Sequence, residues 1–194
     1  ENASSFEANL GFASSLFHNK EYENALLYID KALSLKNNNP NALISKKYIQ
    51  LELANVFMKK EQFKKAQHLL NNNLLIYKND YETLMKIAEL GIVSKQLSIS
   101  KKAYESMMNN EIDSLKGMNG IALIYHLKNR DRKALSISSS ALKLSETCVD
   151  IKIKQATTKR YIESLIWNGK YKKADRPRIL FYHADRRTRP RSAG

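Results

Sequence analysis

One cysteine, three prolines, six glycines and one tryptophan in 194 residues leave little for any architecture that depends on turns, staples or breakers. With Cys148 alone, no internal disulfide can form, and this leaves oxidising and reducing compartments equally open. Lying between two predicted helices, its thiol reads as inert rather than nucleophilic. No apolar run approaches the roughly 20 residues a membrane-spanning helix requires. The four histidines, His18, His68, His126 and His183, form no His-x-x-x-His or Glu-x-x-His pair, and no Cys-x-x-Cys occurs. A metal site needs convergent ligands, and the sequence suggests none. A Gly-rich phosphate loop and a Gly-x-Ser-x-Gly elbow are also missing. No catalytic constellation can be assembled, so no enzyme, cofactor or metal is expected. The chain opens on Glu1 rather than Met, from which we expect that an N-terminal segment was removed, a signal or lipid anchor among the possibilities.

What is present favours helices. Asn, Lys, Leu, Ile and Ala dominate, and most of that set has good helix propensity. The hydrophobic fraction of 43% suits a folded chain that buries a continuous core. Formal net charge is +14, of which the last twenty residues, with six Arg and two Asp, hold +4. The other +10 reads as dispersed over solvated helix faces, with an acidic partner or anionic surface as the sharper alternative. Residues 175–194 carry six Arg and no Lys, whereas the body has 24 Lys and three Arg. That change reads as a vector-encoded or frameshifted tail, a truncated last unit, or a basic arm that folds on a partner. Pro177 should stop any helix there.

Five stretches repeat one pattern. A large apolar residue precedes a small one in four of them: Phe12-Ala13, Leu53-Ala54, Leu90-Gly91 and Ile121-Ala122. Tyr161-Ile162 keeps the pattern poorly. Three positions beyond the small residue stand Leu16, Phe57, Tyr125 and Leu165, with Ser94 departing. A short polar turn follows, and then a pivotal Ala: Ala25, Ala66, Ala103, Ala134 and Ala174. Side chains at a helix crossing set how closely two helices approach, so small residues mark the contacts. A single hairpin cannot bury its apolar face alone, so the units should stack. Ten helices are expected, near 5–18, 22–36, 41–60, 62–77, 81–95, 99–109, 113–127, 131–145, 149–167 and 171–181. Pro40 suits a first helical turn.

This pattern resembles the tetratricopeptide (TPR) repeat over residues 5 to about 174. The pivotal alanines are spaced 41, 37, 31 and 40 residues apart, against a family period of about 34. The resemblance implies an all-α, right-handed superhelical array of about five helix hairpins, an α-solenoid. Its units fall near 5–39, 41–80, 81–111, 113–147 and 149–174, with no domain boundary before residue 175. It also implies that function sits in the groove lined by the first helix of each unit. Counted from the pivotal Ala, the expected partner-binding residues are Leu10, Phe17, Tyr48, Leu51, Asn55, Met58, Ile92, Asn119, Leu123, His126, Lys159 and Trp167. Such a set suits an amphipathic helix or an extended apolar segment of a protein partner. For Trp167 a cap on the last unit is the competing reading. Co-chaperone members of the family grip a C-terminal carboxylate with basic and amide residues. Leu10, Ser14, Glu52, Met85 and Glu89 stand at those places here, and two acids would repel that ligand.

A narrower resemblance joins Asn119-Gly120-Ile121-Ala122-Leu123 to the repeat lipoproteins of tight-adherence (Flp) pilus assembly (TadD-like). It implies a lipid-anchored periplasmic scaffold, with a cytoplasmic location as the alternative. The expected function is thus a protein-interaction scaffold. A peptide-sensing domain of a regulator and a basic nucleic-acid or anionic-surface binder are the competing readings. Dispersed Lys without a nucleic-acid motif counts against the last.

Overall fold

A computed structural model describes residues 5–109 and 113–170. Among them are nine α-helices and no strand. They are α1 (Phe6–His18), α2 (Tyr22–Leu35), α3 (Pro40–Lys59), α4 (Phe63–Ile76), α5 (Tyr81–Val93), α6 (Leu97–Met108), α7 (Ser114–Leu127), α8 (Asp131–Leu144) and α9 (Ile151–Trp167). A 3₁₀ turn, Ser145–Thr147, precedes α9. The nine match nine of the ten expected segments. The tenth, with Ala174, Pro177 and the Arg-rich tail, lies outside the described residues.

The chain falls into two compact units, Glu1–Ile99 and Ser100–Gly194. The border lies within the first turn of α6, where no Pro or Gly marks it. In the first unit, α1 packs on α2 and α3 on α4, while α3 also touches α1, α2 and α5. In the second, α7 packs on α8, and α9 packs on both.

Helix starts and turns follow a division of labour. Four of the five first helices open on side-chain caps; α7, after Asp113, does not. Ser5 Oγ accepts from the Ala8 N–H at 3.0 Å, Asn39 Oδ1 from Ala42 at 3.0 Å, Asp80 from Thr83 at 2.9 Å, and Asp150 from Lys152 at 2.8 Å. Each satisfies a backbone donor that the first turn leaves without a carbonyl. Second helices α2, α4 and α8 have no side-chain cap and follow a left-handed turn residue. Left-handed residues after the first helices are Lys20, Glu61, Lys95, Asn129 and Gly169, with φ between 56° and 68°; Asn79, at φ 61°, takes the same conformation ahead of α5. In four of these turns the next N–H reaches back five residues: Glu21 to the Leu16 carbonyl, Gln62 to Phe57, Arg130 to Tyr125 and Lys170 to Leu165, at 2.8–2.9 Å. This is the Schellman closure. The carbonyls it uses belong to the apolar residues that recur three places after the small residue in the sequence pattern.

The core follows the alanines. Ala25, Ala66, Ala103 and Ala134 are all buried, as are Ala13, Ala54, Gly91 and Ala122 on the first helices. Each second helix continues the stripe four residues on, through Ile29, Leu70, Met107 and Ser138. Glycine is used twice for close approach. A Cβ at Gly117 would fall 2.6 Å from the Tyr104 carbonyl oxygen, and one at Gly120 would strike the Tyr104 ring.

Candidate functional site

In the first unit the expected groove residues of α3, Tyr48, Leu51, Asn55 and Met58, are spaced to share one helical face. Tyr48 is 43% exposed, and Asn55 and Met58 are half-buried. Leu10 and Phe17 on α1 and Ile92 on α5 are also half-buried. The Asn55 amide donates to the Glu52 carboxylate at 3.2 Å. Phe17 leans over its own turn, with its ring centroid 5.5 Å from that of Tyr22.

Leu51 corrects the sequence reading. It is only 6% exposed and offers no surface to a partner. It stands fifteen residues before its pivotal Ala, where Ala88 on α5 is also buried. Because α3 packs on both α1 and α5, side chains at that register fill the seam between first helices. The same register on α7 holds Asn119, whose amide donates to Thr157 Oγ1 on α9 at 3.0 Å. Asn119 thus ties two helices together.

Beside the α3 stripe lies a charged cluster that sequence spacing does not reveal. Lys47 Nζ sits 3.1 Å from Asp80 and 2.8 Å from Glu82, at the start of α5, and 4.7 Å from the Tyr48 ring centroid. Its side chain is nearly buried. The Asn73 amide on α4 donates to the Lys47 carbonyl at 3.2 Å. Burial alone would push the Asp80 carboxyl up. Hydrogen bonds from Thr83 and Lys47, with the ammonium charge, outweigh burial and hold it below the ordinary carboxylate value. Burial would likewise lower Lys47, but Glu82 and Asp80 overcome it and raise its pKa.

In the second unit the structure brings two expected site residues together. The His126 and Trp167 rings stack with centroids 3.7 Å apart and planes 6° from parallel. His126 Nδ1 lies 2.7 Å from Asp131 Oδ1, and the Asn168 amide donates to the Asp131 carbonyl at 2.7 Å. The Arg160 guanidinium lies 5.6 Å from the indole and pairs with Glu163 at 2.6 Å. This plate joins the ends of α7 and α9 to the start of α8, and His126 covers one face of the indole. Leu123 is half-buried and Lys159 exposed.

The two acids that argue against a carboxylate ligand are engaged locally, Glu52 with Asn55 and Glu89 with Lys86 at 3.0 Å. Among the described residues, no cluster of three or more His, Cys, Asp or Glu side chains is arranged to hold a metal, and no helix is long and apolar enough to cross a membrane.

No protein-family model and no curated protein matches the sequence. Solved structures do match in fold. A Podosopora anserina kinesin light chain with nearly identical TPR-like repeats superposes with a TM-score of 0.60 at 14% identity, over 96% of this chain and 97% of that one. MamA from Desulfovibrio magneticus RS-1 gives 0.62 at 14% identity, covering 95% and 97%. BtubC from P. vanneervenii gives 0.61 at 16% identity, covering 97% and 84%. At such identities the likeness establishes the fold: a TPR-like helical repeat.

Proposed function

We propose that the chain is a protein-interaction scaffold that holds an apolar segment of a partner along the α1, α3 and α5 face of the first unit. The observation that carries this reading is the α3 stripe. Tyr48 and Met58 stay accessible on a helix that buries Ile49, Leu51, Leu53, Ala54 and Phe57. Apolar side chains spaced along a helix face, with an amide among them, suit an amphipathic helix or an extended segment. The fold is one that typically carries out no chemistry.

The test is site-specific photocross-linking in the native source. A photoreactive residue at Met58 should trap a protein partner, and one at Leu75 on α4, 78% exposed, should not. Tyr48→Asp with Met58→Asp should abolish capture while leaving helical circular dichroism intact. Equal trapping from both positions, or capture that survives the double substitution, would show that partners bind elsewhere.

A place in bacterial envelope or pilus assembly is the finer form of this reading, and it rests on Asn119–Leu123 alone. Those residues have a packing explanation. Asn119 bonds to Thr157, Gly120 admits the Tyr104 ring, and Ile121 and Ala122 are buried. A peptide-sensing regulator domain would use the same face and meet the same test.

A further inference from the structure

The charge of this chain is unevenly placed. Residues 1–99 hold 12 Lys and no Arg against 10 acids, net +2. Residues 100–174 hold 12 Lys and three Arg against seven acids, net +8. Two of those three arginines, with two lysines, fall within six residues at the α7–α8 turn: Lys128, Arg130, Arg132 and Lys133.

All four are exposed, and none forms an ion pair with a described residue. The one acid among them, Asp131, is committed to His126 at 2.7 Å. Arg130, Arg132 and Lys133, together with Asn129 and Asp131, line a shallow, open notch of about 700 Å³ that Trp167 and Asn168 border at the end of α9. Three of the cations also sit at the N-terminal end of α8, the positive end of its dipole, where they repel rather than complement the helix. Lys133 also lies 5.9 Å from the Tyr125 ring centroid. Four cations against one carboxylate beside an open notch, against the local electrostatics, have the character of a binding site rather than of a solvated face.

We infer that this notch on the second unit is a recognition site for an acidic protein segment, one whose Asp or Glu carboxylates pair with Arg130, Arg132 and the flanking lysines. Arginine forks suit planar carboxylates, which they bind through two parallel hydrogen bonds. Single-stranded nucleic acid fits less well. It would need an open aromatic platform, and Trp167 has one face covered by His126 and the Arg160 guanidinium close by. The site lies on the second unit, so it stands or falls apart from the groove proposed above.

The test uses the full chain and fluorescein-labelled octaglutamate, read by fluorescence anisotropy at low and at high salt, with oligothymidylate of equal charge as competitor. Two variants remove the same charge: Arg130→Glu with Arg132→Glu, and Lys59→Glu with Lys60→Glu on the first unit. The expected result is salt-sensitive octaglutamate binding that the arginine pair weakens at least about tenfold and the lysine pair less than about twofold. If charge reversal disturbs the circular dichroism, Arg130→Gln with Arg132→Gln replaces it. Absence of binding, equal loss in both variants, or retention in both would overturn the proposal. So would oligothymidylate displacing the peptide at lower concentration, which would make the notch a nucleic-acid site.

Discussion

Gly120 lies flat against the ring of Tyr104, so that a Cβ added there would come within 2.3 Å of both Cδ1 and Cε1. No flexible chain end stands in the way; the obstacle is a buried aromatic ring. Helix propensity favours Ala over Gly by about 1 kcal/mol. Overpacking a rigid site costs about 1–3 kcal/mol, so the clash should win. Gly120→Ala is therefore expected to destabilise the protein in urea melts. Gly11, in the middle of α1 with nothing within 4 Å of its Cβ position, should show the opposite sign. Gly11→Ala should add about 0.5–1 kcal/mol. Equal signs for the two would contradict the packing described.

Five of the six left-handed residues among those described carry side chains. Each pays about 1 kcal/mol or more for a positive φ that glycine adopts freely. Glu61→Gly should raise stability by about 0.5 kcal/mol, the gain at φ being partly offset by a more flexible unfolded chain. Gly169→Ala should cost about 1 kcal/mol. Chemical denaturation of the two variants checks both.

The Lys47–Asp80 pair should make stability pH-dependent at both ends. The Asp80 pKa is lowered on folding, so its contribution is present above the unfolded value near about 3.9 and is lost as pH falls through the folded value. The Lys47 pKa is raised, so its contribution is present below the unfolded value of about 10.4 and is lost as pH rises through the folded one. Asp80→Ala removes the cap and one of the two carboxylates on a nearly buried ammonium, leaving Glu82 at 2.8 Å, and should cost about 1–2 kcal/mol at neutral pH. Asp80→Asn retains an oxygen for the cap and should cost less. Its difference from the parent should shrink in acid. A constant difference down to low pH would remove the charge from the explanation.

Arg132 offers a different separation. Replacing it with Glu puts a negative charge in the first turn of α8, which should stabilise the helix by about 0.3–1 kcal/mol. The same change should weaken octaglutamate binding. A variant that is more stable and binds less would show that these cations are kept in spite of their effect on the fold.

Most of the fold was legible because small residues mark helix crossings. Ala25, Ala66, Ala103 and Ala134 sit at the contacts their spacing suggests, and nine helices begin and end within about two residues of expectation, the scatter normal for helix ends. The surface was less legible. Register counting places Leu51 and Asn119 outward, yet neighbouring first helices close over that register, an effect of the stacked neighbours that no single repeat encodes. Lys47 and Asp80 lie 33 residues apart, and His126 and Trp167 lie 41 apart. Neither separation is announced by composition or by helical period. The concentration of charge after residue 100 was countable from the start, but a whole-chain total conceals it.

Trp167 is the sole indole in the sequence, and its stack on His126 places it wholly within the second unit. Its emission therefore reports on the melting of that half of the molecule only, whereas far-ultraviolet ellipticity sums over both halves. Superimposable curves from the two probes would mean that the halves melt as one cooperative body. Curves that part would give each half its own midpoint, without a label or a truncation.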